Sequence, residues 1–337
     1  MPRKFTTRFG RRPLIAAAAI LTVLVLAWVG GWFWLASWAD ERATAALQEL
    51  SRRGVEVDCR DRTITGFPFA LRLACAETRV SDRSSDASAS LAGLRGGASV
   101  FAPMTLRISM RAPVQAAAAQ FGTADLRWDN AEISAGLGIS GPRSVAFLAK
   151  RLEADLAVAK SPVRSITAQR ADGSLGLSAN GGSDIAVGFA DLGVSLAGGA
   201  LPSVSGSARG ELSVPPRALL SGRAALQAPI WARDIDVDIQ SGGARFKATG
   251  DIAVDAGGIV DGTLMLKIAG TEALPALINL LPESLRQKAN GAVAGILIFG
   301  KAGKLDGQAA SEVRIEIERS RVRIGNTDLV TLPPVPL

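Results

Sequence analysis

The sequence predicts a mainly β protein: one N-terminal helix that spans a membrane, then an antiparallel sheet with a few short helices. Three observations carry this. Leu14–Ala39 is an apolar run without a charged side chain. Beyond it, apolar and polar residues alternate in short runs spaced roughly 8–14 residues apart, which is the habit of antiparallel sheets and not of alternating strand–helix units. Turn signals separate the runs, many of them drawn from the chain's 36 glycines.

At about 1.5 Å per residue, Leu14–Ala39 is long enough to cross a hydrocarbon core of roughly 30 Å with some tilt. Arg3, Lys4, Arg8, Arg11 and Arg12 precede the span, and no acidic residue occurs before Asp40. Flanking cations are retained in the cytoplasm, so residues 1–13 read as a cytoplasmic basic tail and everything after the span as exported. Trp28, Trp32, Phe33, Trp34 and Trp38 crowd the far end, where amphipathic rings favour the lipid–water interface. Two other readings compete. A cleaved secretory signal has an apolar region of about 7–15 residues, shorter than this one. Its most tempting cleavage site, Ala43-Thr44-Ala45, lies beyond acidic residues. A twin-arginine signal would use Arg11-Arg12, but nothing downstream looks like a cofactor site that needs folded export.

Removing the tail changes the reading of the composition. The formal charge is +7, and the five tail cations leave 7 − 5 = +2 for residues 40–337. The basic balance is topology and not a nucleic-acid signal, since no basic stripe with interleaved aromatics follows. The chain has no His, which excludes Ser-His-Asp and Cys-His machinery and His-ligated metals. The expectation is a non-enzyme with no cofactor and no metal. Asp234, Asp236 and Asp238 alternate along one strand. They would form a Ca²⁺ or acid/base cluster, or else the solvated side of a strand with Ile235, Val237 and Ile239 turned inward; alternation alone accounts for the second. Glu312, Glu316 and Glu318 against Val313, Ile315 and Ile317 read the same way. Gly181-Gly182 and Gly198-Gly199 lack the Lys-Ser/Thr of a phosphate loop and read as turns.

In chain order, residues 40–54 read as a helical stalk ended by Gly54. Val55–Val80 alternates on both sides of Gly66-Phe67-Pro68-Phe69, which is a β-hairpin pattern. With the turn centred on Phe67, Cys59 and Cys75 stand opposite each other. They are the only two cysteines, and they lie on the oxidising side of the membrane. A bridge closing a loop of about 17 residues contributes on the order of 3 kcal/mol in the chain-entropy model; the alternative is two unpaired buried thiols. Ser81–Ser90 reads as a polar loop.

Strands follow at Met104–Met110, Thr123–Asp129, Ala131–Gly138, Arg151–Ala159, Ser165–Arg170 and Ser183–Leu196, with Gln115–Gln120 ambiguous between strand and helix. The Gly/Ser/Pro-rich stretch 201–216 reads as a linker between a first β-rich half, 55–200, and a second, 217–337. A short helix is expected over Arg217–Gln227, then strands at Ile230–Gln240, Ala244–Asp255 and Ile259–Ala269. A helical segment from about Glu272 to Ala294, interrupted near Pro282, precedes strands Ser311–Glu318 and Arg321–Ile324. In the third of these strands Leu264, Leu266 and Ile268 share one face. They are the candidate lining of an apolar groove, the alternative being an ordinary closed core.

Several motifs together resemble a known family. They are Gly66-Phe67-Pro68-Phe69 with Leu71, Leu73 and Cys75; Gly250-Asp251-Ile252-Ala253-Val254-Asp255 with Gly258 and Asp261-Gly262-Thr263-Leu264; and Arg321-Val322-Arg323-Ile324-Gly325 with Leu332-Pro333-Pro334. The set is similar to the bacterial domain-of-unknown-function family 2125 (DUF2125), over nearly the whole exported part. More distantly the layout resembles the AsmA-like envelope proteins, inner-membrane-anchored and β-rich, whose curved sheets are credited with holding or conducting lipid. The resemblance implies a curved sheet, an inner-membrane anchor with the bulk of the chain in the periplasm, and a phospholipid ligand in envelope maintenance. The alternative is a tethered scaffold for envelope proteins without a lipid ligand.

Overall fold

The computed structural model describes residues 11–52, 54–83, 85–119, 122–138, 141–158, 161–220, 229–279, 283–325 and 327–335. The span and the stalk are one unbroken helix, α1 (Arg11–Arg52), about 63 Å long at the usual rise. Asp40 and Glu41 therefore lie inside one helix, and the stalk continues directly from the span. The chain turns at Gly54, whose φ of 87° lies in the region glycine enters without a steric cost.

The rest is almost wholly strand. An opening hairpin contains β1 (Val55–Arg60), β2 (Thr63–Thr65), β3 (Ala70–Cys75) and β4 (Glu77–Asp82). Longer strands follow: β5 (Ala87–Ser99), β6 (Ala102–Ala118), β7 (Gly122–Arg127), β8 (Asn130–Gly138), β9 (Gly141–Ala157), β10 (Val163–Leu177) and β11 (Ser183–Leu196). After the short β12 (Gly199–Ala200) come β13 (Val204–Leu212) and helix α2 (Pro216–Leu220). Three more strands, β14 (Ile230–Ser241), β15 (Ala244–Val254) and β16 (Val260–Ala269), lead to helices α3 (Leu274–Asn279) and α4 (Glu283–Phe299). The chain closes on β17 (Lys301–Leu305), β18 (Gln308–Glu318), β19 (Arg321–Ile324) and β20 (Thr327–Thr331).

All of these strands belong to one antiparallel sheet, built almost entirely by pairing each strand with its neighbours in sequence. β5 takes β4 and β3 end to end on one side and β6 on the other. β6 takes β7 and β8, which both pair with β9. From there the sheet runs β9–β10–β11–β13–β14–β15–β16–β18–β19–β20. Among the described residues no ladder joins the first strands to the last, so the sheet is open.

The structure revises several expectations. Residues 204–212 are not a linker: β13 pairs along its length with β11 and β14, so the sheet runs through the expected boundary. Gly206 is needed there, because a Cβ would meet the Asp238 carbonyl at 2.8 Å and the Phe189 ring at 3.0 Å. Most of Gln115–Gln120 is strand, as the end of β6. The loop expected at 81–90 shrinks to a turn between β4 and β5. Strands β17 and β20 carry no alternation long enough to be read. Pro282 and residues 221–228, including most of the helix expected there, lie outside the described residues.

The opening hairpin exists, but its register differs. Thr63 faces Ala74, and in the same frame Cys59 faces Thr78, so the two cysteines are not opposite each other. The break between β1 and β2, where Asp61 has a φ of 50°, lets Cys59 reach Cys75 nonetheless. Their disulfide joins β1 to β3, with Cα atoms 5.3 Å apart.

The long strands bend at bulges that keep one face apolar. In β11, Ile185, Val187 and Phe189 share that face, and Leu192, Val194 and Leu196 continue it after a one-residue slip at Asp191. In β14, Ala232 precedes and Ile235, Val237 and Ile239 follow the slip at Asp234. Asp191 and Asp234 are left-handed, with φ of 50° and 51°. The N–H each removes from the ladder is accepted by a side chain of the next strand: Asp191 N–H by Ser205 Oγ at 2.9 Å, Asp234 N–H by Asp251 Oδ1 at 2.9 Å. A bulge re-aims the strand by inserting one residue, and here it preserves the face. Asp191→Gly is expected to leave the melting temperature unchanged or raised. Asp191→Val, β-branched at a positive φ, is expected to cost about 1–2 kcal/mol. Thermal unfolding of the detergent-solubilised chain measures both, and equal tolerance of Val and Gly would contradict the bulge.

Candidate functional site: the apolar face of the sheet

Because the bulges hold the phase, one face of the sheet is apolar from β5 to β18. Leu94 faces Met110, Ile108 faces Ile133, and Ile133 faces Phe147. Further on, Leu175 faces Ile185, Val187 faces Ala208, and Ala208 faces Val237. The eight long strands from β5 to β14 give this face a width of roughly 34 Å at about 4.8 Å per strand. In β6, Ala117 is exposed while Ala116 and Ala118 on either side of it are half-buried.

Among the described residues no second layer covers most of this face, although the short helix α2 lies against β9 and β10. The accessible surface is 21872 Å², against roughly 13,000 Å² for a compact monomer of this mass. The exposed α1 and the single-layer sheet both contribute. Before Ala244, the buried apolar side chains among the described residues are four alanines, a half-cystine and a proline: Ala70, Ala131, Ala154, Ala168, Cys75 and Pro216. Phe147 and Val187 remain 46% and 44% exposed. The Phe147 ring lies flat over Gly173, whose missing Cβ would meet it at 2.3 Å, so even the aromatic residues form a low floor.

The covered end lies in the last strands. Ala244, Ile268, Leu274 and Ile278 form the buried cluster, with Phe246, Leu266, Val293 and Ile296 packed against it. Helices α3 and α4 thus sit over β15, β16 and β18. Of the three groove residues expected from sequence, Leu264, Leu266 and Ile268 do share this face, opposite Ile315, Val313 and Ser311. Ile268 is 1% exposed and Leu266 packs on the same cluster, so the protein's own helices occupy those two positions. Leu264, one rung further from the helices, is half-buried. The open part of the face, marked by Phe147 and Val187, was not singled out from sequence. Its signal was the phase slip of the apolar pattern at Arg151, Asp191 and Asp234.

The opposite face is polar and laced with cross-strand ion pairs. Asp236 lies 2.6 Å from Arg209 and 3.6 Å from Lys247, and Lys267 lies 3.0 Å from Glu312. Glu316 and Glu318 pair with Arg314 and Arg323. Asp234, Asp236 and Asp238 do not form one row as strict alternation requires: the bulge takes Asp234 out of phase, while Asp236 and Asp238 are held by cations. Arg245 donates to both oxygens of Asp238, at 2.9 and 2.6 Å. This hydrogen bonding holds the Asp238 carboxyl below the usual carboxylate range, against the opposing effect of burial. On the same face Ser178, then Asn180, lower the Glu211 carboxyl.

The fold and this face define a class: a β-body one sheet thick with an uncovered apolar side, carrying one N-terminal helix, Ile20–Arg52, long and apolar enough to cross a membrane. Residues 32–333 match the family described as uncharacterized protein conserved in bacteria (DUF2125), and the chain belongs to that family. No curated protein matches it.

Since Asp238 has a lowered value in the folded state, its contribution is present above the ordinary carboxylate pKa of about 3.9 and is lost as pH falls through the folded value. Asp238→Asn is expected to lower stability at neutral pH by about 1 kcal/mol. The difference from the parent should shrink below about pH 4. Melting curves across that range test it, and a difference independent of pH would contradict it.

Proposed function

We propose that the chain is a single-pass protein of the inner membrane, N-terminus in the cytoplasm, whose periplasmic sheet holds phospholipid acyl chains on its apolar face without turning them over. The observation that carries this reading is the half-exposed apolar face of β5 to β13, with Phe147 and Val187 open on it. An aliphatic side chain left in water forgoes roughly 1.5–3 kcal/mol of burial, so a face of this extent favours an apolar occupant. Cavities that take apolar ligands are lined in the same way, mainly by aliphatic and aromatic side chains. The positive tail and the charge-free span support the orientation. The resemblance to AsmA-like proteins agrees with a lipid ligand. A tethered scaffold without lipid would be expected to close its apolar core and offer polar edges.

Native mass spectrometry of the full chain in detergent tests this reading. The parent is expected to carry phospholipid. Val187→Asp, on the open face, should keep the parent's melting temperature and lose most of that lipid. Ile268→Asp, under α3–α4, should instead unfold because it buries an unpaired charge. A parent free of phospholipid would overturn the lipid reading in favour of the scaffold.

A further inference from the structure

The opening hairpin is fixed to the span itself. Trp32 Nε1–H donates to the Ala70 carbonyl at 3.0 Å, and the Phe67 ring meets Trp32 edge-on at 5.4 Å and stacks with Phe33 at 6.2 Å. Higher on the helix, Arg62 pairs with Asp40 at 2.9 Å and donates to Thr44. Helix and hairpin therefore meet at two levels, which fixes their relative height. Trp32 lies seven residues before Ala39, the end of the apolar run, which is about 10 Å along the helix. A helix that spans the bilayer consequently draws the β2–β3 turn down to the level of its last apolar turns.

The two neighbouring tips have the chemistry for that position. Phe69 of the β2–β3 turn stacks on Phe101 of the β5–β6 turn, ring centres 5.8 Å apart. Phe101 is 82% exposed, and Phe67, Phe69, Val100 and Met104 are exposed beside it. About 10 Å back from Phe69, three residues along β3, Arg72 stands level with Gly97 on the polar face, and Arg107 stands level with Gly97 on its other side. Neither makes an ion pair among the described residues, and it is their level beside the tips that sets them apart from Arg95 and Arg111 further along β5 and β6. The headgroup layer is about 5–8 Å deep, within reach of an arginine side chain that extends toward it.

We infer that the β2–β3 and β5–β6 tips are inserted in the outer leaflet of the anchoring bilayer, with Arg72 and Arg107 on lipid phosphates, so that the open end of the apolar face rests on the membrane. This rests on the membrane-anchor reading above and adds where the sheet meets lipid. It gives phospholipid a path from leaflet to face that need not cross water.

Because Cys59 and Cys75 are bridged, one introduced cysteine takes a thiol label selectively. Full chains with Phe101→Cys, Val100→Cys or Gln115→Cys would carry a nitrobenzoxadiazole label in vesicles of phosphatidylethanolamine and phosphatidylglycerol. Blue-shifted emission and several-fold quenching by nitroxide-bearing lipids are expected at positions 100 and 101 and not at 115. If all three labels report water while the protein stays with the vesicles, insertion is overturned and the anchor stands. Protein that does not float with the vesicles overturns both. Co-purifying phospholipid, measured on the same preparations, judges the lipid-binding reading separately.

Discussion

A sheet one layer thick has to do something with its apolar side. In most domains a second layer buries that side, but among the described residues α3 and α4 cover β15, β16 and β18 and the short α2 lies against β9 and β10. Over the remaining strands the chain relies on small residues and on rings laid over glycines. Ala154 and Ala168 are buried, whereas the larger Val187 is not. The sheet's hydrogen bonds are satisfied along nearly every strand, so the body can fold while leaving apolar area to spend on something outside the chain.

The bulges make this arrangement feasible. A strand as long as β9 or β10 accumulates twist, and a bend that merely broke the ladder would flip the apolar residues to the polar face. The left-handed residues at Asp191 and Asp234 bend the strand and restore the phase in one step. Asp tolerates that conformation better than most residues. The side-chain acceptors at Ser205 and Asp251 then satisfy the amides that the bend releases. Backbone geometry, face chemistry and hydrogen-bond satisfaction agree at each of these positions.

Much of this was legible in the residues. The span is visible from length and charge, and β15 and β16 from apolar runs between glycine-containing turns. Other features depend on contacts that no local pattern carries. The Gly/Ser-rich 204–212 looks like a linker, yet Gly206 is there because the Asp238 carbonyl and the Phe189 ring approach too closely for a side chain. The cysteine pairing was visible but not its register, because the turn takes up more residues than a centre at Phe67 allows and the chain breaks at Asp61. That Leu264, Leu266 and Ile268 share a face follows from alternation; that α3 and α4 lie over two of them does not. The bulges were readable in principle, since Ile230, Ala232, Ile235 and Val237 cannot all share a face without an inserted residue.

The central claim is that lipid lies on the apolar face, and site-specific photo-crosslinking in cells tests it most directly. A photoreactive phenylalanine would be placed at Phe147, on the open apolar face, or at Ser174, exposed on the polar face of the neighbouring strand and next to Gly173, which faces Phe147. Phospholipid attached at 147 and absent at 174 is the expected result. Equal labelling at both positions, or protein adducts alone at 147, would contradict it.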